Sequence, residues 1–181
     1  MVWADGQQVR WQPPPETNIK ANFDGTVFRE NNRAGLGVVI WNHQGQVLAS
    51  LSENISLQPS TDDVEAFAAV RAISFPVELG FSSIIIEGDS EVVIKALKNE
   101  EESLATFGHL ISASRPTIDA FYDISFSHTR RQGNIIAHNL ARHTRHVRDY
   151  SMDGECSTTS TKCTSSWFRL IWFNESLWSF F

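Results

Sequence analysis

Cysteine is scarce in this chain of 181 residues: Cys156 and Cys163 are all it has. Two are too few for a disulfide framework, and their spacing does not match a zinc ligand set. A reducing, intracellular setting, nuclear or cytoplasmic, is the expectation. Long apolar runs are also missing. No window reaches the roughly 18 consecutive apolar residues that span a bilayer, and the aromatic C-terminus is interrupted by Arg169, Asn174 and Glu175. The first twenty residues hold no apolar core of signal-peptide type. Neither secretion nor a transmembrane helix is expected. Positive charge is in deficit as well, with 15 Lys and Arg against 21 Asp and Glu, a formal net charge of −6. Bulk attraction to a polyanion is thereby excluded, so any nucleic-acid contact must use a local basic surface.

What is present is the composition of a globular domain, 41% hydrophobic and 20% charged. The length suits one domain with tails. Residues 1–17, with Trp11-Gln12-Pro13-Pro14-Pro15, read as an extended linker. Residues 18–148 read as the domain. Residues 149–181 read as a C-terminal tail, Ser/Thr-rich and then aromatic, to which no function is assigned. No internal repeat is present.

Ile19 to Val27 alternates apolar and polar residues, and Gly35 to Trp41 and Val47 to Leu51 are further strand-like runs. Their short, turn-rich connections favour antiparallel hairpins. Ser60 offers an N-cap, and Val64, Ala68, Ala72, Phe75 and Leu79 form one stripe at helical spacing, which predicts a helix from Thr61 to about Leu79. Pro76 costs about 3 kcal/mol in a helix interior, so a kink or early end is expected there, and Gly80 closes the element. Ile84-Ile85-Ile86 has the continuous apolar character of a strand buried on both faces. Glu91 to Leu97 and Leu104 to Tyr122 read as helices, the latter broken near Pro116. Ile124 to Thr129 reads as a strand and Ile135 to Thr144 as a last helix. The order β-β-β-α-β-α-α-β-α implies an α/β fold with a mixed sheet and helices on both faces.

Three acids invite attention within that order. Asp24 sits inside the first strand, where aspartate is avoided unless it faces a polar site. Glu65 lies in the first turn of the first helix, beside the small residues Ala66, Ala68 and Ala69. Asp89 follows the apolar strand at the carboxyl edge of the sheet, where ligands of open α/β folds sit. Singly they read as a turn residue, a glutamate matched to the helix dipole and a helix N-cap. Together they can converge on one point. Convergent carboxylates repel one another and protonate unless a cation neutralises them, and an all-oxygen ligand set selects magnesium or manganese. Two such ions about 4 Å apart serve an in-line phosphodiester displacement by water.

Asn22-Phe23-Asp24-Gly25, the Ala34 to Ile40 run with Gly35 and Gly37, Glu65-Ala66, Glu87-Gly88-Asp89-Ser90 and the Gly133 to Ala141 run with Asn134 and His138 resemble the ribonuclease H family in order and interval. The likeness covers about residues 18 to 145. It is nearest the plant branch that occurs alone or behind reverse-transcriptase segments of non-LTR retroelements, where a Trp-Pro-Pro linker often precedes the domain. The resemblance implies a five-stranded mixed sheet and two Mg2+ ions, with Mn2+ as a substitute. It also implies endonucleolytic cutting of the RNA strand of an RNA–DNA hybrid, leaving a 3′-hydroxyl and a 5′-phosphate. Asp24, Glu65 and Asp89 match three of the family's four acids, and His138 stands where the fourth is an aspartate. That histidine keeps a second reading open, a module that binds nucleic acid without cutting it, and a third is a protein-interaction remnant of a retroelement. The expected partner is a hybrid or other nucleic acid, met by a monomer.

The basic surface required by the overall acidity lies between Ile124 and Arg148, a stretch without a single acid that carries Arg130, Arg131, Arg142, Arg145 and Arg148. His128, His138, His143 and His146 add charge below neutral pH. Gly25, Thr26, Ser90, Arg130, Arg131, Asn134 and Arg142 are the expected nucleic-acid-binding residues. Trp3 and Trp11 read as linker residues, and Gly35-x-Gly37 as a site of close packing.

Overall fold

The computed structural model describes residues 11–99 and 105–146. The expectations for Trp3, Leu104, Arg148, both cysteines and the C-terminal tail concern residues outside that set.

Strands β1 (Ile19–Phe28), β2 (Arg33–Trp41) and β3 (Val47–Ser56) form an antiparallel meander. After helix α1 (Thr61–Glu78) the chain returns as β4 (Ser83–Gly88), parallel to β1. It then passes through α2 (Glu91–Lys98) and α3 (Gly108–Asp119) to β5 (Asp123–His128), parallel to β4. Helix α4 (Ile135–His143) ends the order, and the five strands lie as β3-β2-β1-β4-β5. This is the expected five-stranded mixed sheet.

Alternation along β1 decides what each face carries. Ala21 and Phe23 point to the side covered by α1, where they join Ala68, Ala72, Phe75, Ile84 and Ile86 in the main core. Each large side chain buried there contributes roughly 1.5–3 kcal/mol. Lys20, Asn22, Asp24 and Thr26 point the other way, toward α4. That side has only a small apolar cluster of Val39, Trp41 and Ala137, joined by Trp11, Val47 and Leu140. The α4 face is therefore mostly polar, and the site lies on it.

Two glycines set how closely α4 can lie on β2. A Cβ on Gly35 would collide with the Ala141 carbonyl and the Thr144 hydroxyl, and one on Gly37 with backbone atoms of Ala137 and Ala141. Gly35-x-Gly37 is thus a packing device, as its spacing suggests. On the opposite face Gly25 serves α1: a Cβ there would stand 2.9 Å from Val64 Cγ1 and 3.0 Å from its carbonyl oxygen.

Three details depart from the sequence reading. Strand β3 runs past Leu51 to Ser56, although Ser52-Glu53-Asn54 lacks apolar character. The extension is held by pairing to β2 and by Ser52 Oγ and Asn54 Nδ2 donating to the carbonyls of Leu140 and Thr144. Helix α3 continues through Pro116 without a break. The carbonyl deprived of its bond there belongs to Ser112, an exposed residue. Trp11 is docked against the sheet, with its ring centroid 4.8 Å from that of Trp41. Helix α1, by contrast, ends two residues after Pro76, and Gly80 follows in the left-handed region at φ +83°.

Replacing Gly37 with Ala should destabilise the fold by about 2–4 kcal/mol, because the atoms met are backbone and cannot rotate away. Thermal melting checks this, and a melting temperature equal to the parent's would refute the close-packing role.

Candidate metal centre and nucleic-acid interface

Strands β1 and β4 pair only as far as Phe23 and Gly88. Beyond that rung they part, and the three acids gather in the opening. Asp24 follows the last paired residue of β1, and Asp89 follows the last residue of β4. Glu65 arrives from the first turns of α1, where Ser60 caps the helix in a reciprocal capping box with Asp63. The Glu65 carboxylate accepts the backbone N–H of Gly25. A carboxylate oxygen from each of Asp24, Glu65 and Asp89 lies within 4.8 Å of the others.

Crowding has an electrostatic signature. Burial pushes the Asp24 carboxyl up to about 6, the Asp89 charge adds to this, and His138 and Arg131 oppose it. Glu65 is held well above its ordinary range by burial and then by the charges of Asp24 and Asp89, against which the Gly25 N–H and Arg131 act. The Glu65 Oε2 atom is buried and finds no hydrogen-bond partner among the described residues. An unpartnered buried carboxylate oxygen facing two further carboxylates is an arrangement whose repulsion a cation would relieve.

His138 does not lie idle on the helix surface. Its Nδ1 is 2.9 Å from Asp24 Oδ2, and its Nε2 is 3.3 Å from an Arg131 guanidinium nitrogen. The same Arg131 nitrogen lies 3.4 Å from Nδ1, so the guanidinium sits across the ring edge while Nδ1 meets the Asp24 carboxylate. Both ring nitrogens are thus engaged.

The other expected contact residues divide. Asn134 donates to Asp89 Oδ1 at 3.2 Å and to the Phe23 carbonyl at 2.7 Å. Thr26 Oγ1 lies 3.5 Å from Asp24 Oδ2. Gly25 makes room for α1 and donates to Glu65. Ser90 is the N-cap of α2, accepting from the Val93 N–H. Arg131 stands at the centre beside His138. Arg130 lines an open cleft of about 560 Å³ with Trp11, Lys20, Glu91 and His128. Arg142 lies farther along α4 in a second hollow with Phe28, Asn139 and Arg145.

Several residues of the site were not singled out from the sequence. Asn22, Glu87 and Lys20 form a buried polar layer directly below the acids, with Lys20 Nζ 3.1 Å from Glu87 Oε2 and Asn22 Nδ2 donating to Glu87 Oε1 at 3.0 Å. His128, named from the sequence only for its charge, also meets the centre, with Nε2 3.2 Å from the Asp89 carbonyl. The signal for the layer was the polar half of the β1 alternation, read as a strand face alone.

A family model described as reverse transcriptase-like matches residues 22–144, most of the chain. The chain belongs to the reverse transcriptase-like family. The fold of this family member is that of ribonuclease H domains. It resembles ribonuclease H1 from the halophilic archaeon Halobacterium salinarum NRC-1 with a TM-score of 0.65 and 25% identity, covering 71% of this chain and 98% of that one. LC11-RNase H1, in a crystal structure with an RNA/DNA hybrid, shares the fold at a TM-score of 0.59 and 21% identity, covering 68% of this chain and 94% of that one. Among curated proteins, the uncharacterised protein YpeP of Bacillus subtilis (strain 168) is 40% identical over 83 residues. The match takes in 44% of this chain and 37% of YpeP, so the chain spans well under two thirds of that relative. Among the described residues no helix is long and apolar enough to cross a membrane.

The raised carboxylates carry a stability consequence whose direction follows from their shifts. Asp24 takes a proton more readily in the folded chain, at about 6, than at its reference value of 3.8. The stability this contributes is complete below about 3.8 and is lost as pH rises through about 6. Asp24→Asn should therefore raise the melting temperature of metal-free protein at pH 7 by several degrees, roughly 1–3 kcal/mol. Melting in chelator checks this; a melting temperature below the parent's would contradict it.

Proposed function

We propose that this chain is a metal-dependent endonuclease that hydrolyses the RNA strand of RNA–DNA hybrids. The convergence of Asp24, Glu65 and Asp89 within 4.8 Å carries the reading. The donor set is all oxygen and harbours an unpartnered buried carboxylate oxygen on Glu65, which fits hard cations such as Mg2+, with Mn2+ as substitute. Two such ions, when bound, would supply charge stabilisation to the attacking and leaving oxygens of an in-line displacement.

The chain's own side chains do the rest. Asp24, Glu65 and Asp89 provide the negative charge that holds the cations. Gly25 N–H fixes one oxygen of Glu65, and Asn134 fixes Oδ1 of Asp89. His138, standing where the ribonuclease H pattern has its fourth acid, restrains Asp24 through its Nδ1. Arg130, Arg131 and Arg142 receive backbone phosphates, and the hybrid is recognised by its shape and 2′-hydroxyls, little by base sequence. The functional unit is residues 18–148, with the stretch from Trp11 resting on it and the tail of 149–181 beyond. The specific observation favouring the second reading, binding without cutting, is His138 itself, which brings no negative charge to the centre.

Cleavage of a labelled RNA–DNA hybrid with and without Mg2+ decides between these readings. Asp89→Asn should fold as the parent does and lose cutting, because an amide brings no negative charge. His138→Asp should lower the melting temperature of the metal-free protein, since a fourth carboxylate would face Asp24. It should also raise Mg2+-supported cutting and reduce the parent's gain from Mn2+. Equal rates and equal metal preference in parent and His138→Asp would show that the histidine takes no part.

The basic residues make a separate prediction. Neutralising Arg130, Arg131 and Arg142 together should flatten the dependence of hybrid affinity on salt, by about 0.7–0.9 in log–log slope for each phosphate left without its arginine. An unchanged slope would place the hybrid elsewhere.

A further inference from the structure

Two tryptophans lie ring to ring on the α4 side of the sheet. Trp11 precedes β1 and Trp41 ends β2, with an interplanar angle of 47°. They differ in one chemical respect. The Trp41 Nε1–H is buried and without a hydrogen-bond partner among the described residues. The Trp11 Nε1–H donates to Asn22 Oδ1 at 3.1 Å.

An indole N–H is a donor and nothing else, so its bond dictates which end of the Asn22 amide faces it. The oxygen turns toward Trp11 and the NH2 group away. That NH2 donates to Glu87 Oε1 at 3.0 Å and to Asn134 Oδ1 at 3.3 Å. The Asn134 amide is polarised in turn, its oxygen toward Asn22 and its NH2 toward the Phe23 carbonyl and Asp89 Oδ1. Every bond points the same way, from Trp11 through two amides to the aspartate. Asn22 and Asn134 are only 2% and 1% exposed, so water does not compete for these bonds, and each deletion leaves a buried group unsatisfied. The segment is also fastened a second time. Lys20 Nζ donates to the Gln12 carbonyl at 2.7 Å and lies 5.3 Å from the Trp11 ring centroid.

We propose that Trp11 is a positioning residue of the metal centre, orienting Asp89 through Asn22 and Asn134, so that the stretch before β1 tunes cation binding. The proposal rests on reading Asp24, Glu65 and Asp89 as that centre.

The pair of tryptophans supplies its own control. Trp11→Phe keeps an aromatic ring against Trp41 and removes the donor. Trp41→Phe makes the same change on the other ring, where the N–H finds no partner among the described residues. The expected result is that Trp11→Phe needs about three to ten times more Mg2+ for half-maximal hybrid cutting, with little loss at saturating Mg2+, while Trp41→Phe behaves as the parent. In 15N spectra of metal-free full chain, the Asn134 side-chain amide should move in Trp11→Phe and stay near its parent position in Trp41→Phe. Equal metal requirements in the two variants, or an unmoved Asn134 amide, would overturn the proposal. If the parent itself cuts no hybrid, the functional reading falls, and the relay is judged by Mg2+ titration of the spectra alone, weaker binding in Trp11→Phe supporting it and equal binding refuting it. Should Trp11→Phe fail to fold, the parent decides. Mg2+ must then shift the Trp11 indole resonance more than that of Trp41, and a Trp11 resonance that does not move overturns the proposal.

Discussion

The central strand β1 is gripped from both faces at van der Waals closeness, and the site exists because of that grip. Gly25 lets α1 press against one face, and Gly35 and Gly37 let α4 settle on the neighbouring strand from the other. Only with both helices so near can Glu65 from α1 and Asn134 and His138 from α4 reach the same few ångströms around Asp24. Interiors packed to crystalline density do not yield by half an ångström without cost. Three missing methyl groups therefore govern where the carboxylates stand.

Held in this way, the carboxylates are in conflict. Asp24 is buried, Glu65 is half-buried with its Oε2 enclosed, and both sit beside like charge and are pushed above their ordinary range. Local electrostatics opposes the arrangement and packing enforces it, the kind of disagreement between levels that marks functional sites. One layer below, the polar groups are reconciled: Lys20 faces Glu87, and Asn22 and Asn134 have their polar ends bonded. The contrast between a satisfied layer and an unsatisfied one shows where a ligand of opposite charge is wanted.

Most of the architecture was legible in the sequence, because β1, α1 and β4 carry undiluted periodicities and the glycine and proline punctuation falls between elements. Where patterning thins, legibility fails. The far half of β3 is polar and is held by carbonyls of the chain end, contacts of high sequence separation that no local window registers. Pro116 is tolerated where the residue whose carbonyl it orphans is exposed, a matter of where the turn lies in the fold. The three acids could be named from placement and resemblance, yet Asn22 and Glu87 could not. Their part depends on which neighbour their amide and carboxylate ends meet across strands. Trp11 illustrates the same limit, for proline neighbours suggest an extended segment and say nothing of where its aromatic ring lodges.

The parting of β1 and β4 after Phe23 and Gly88 has one more implication. At the next rung a sheet would ordinarily continue, and here the Gly25 amide is met by a side chain from a helix in place of a strand. At this edge the backbone N–H thus acts on Glu65, a group whose charge depends on its company. Solvent exchange of the Gly25 amide proton is accordingly tied to the state of Glu65 and reports, from within the backbone, on whether the centre is assembled.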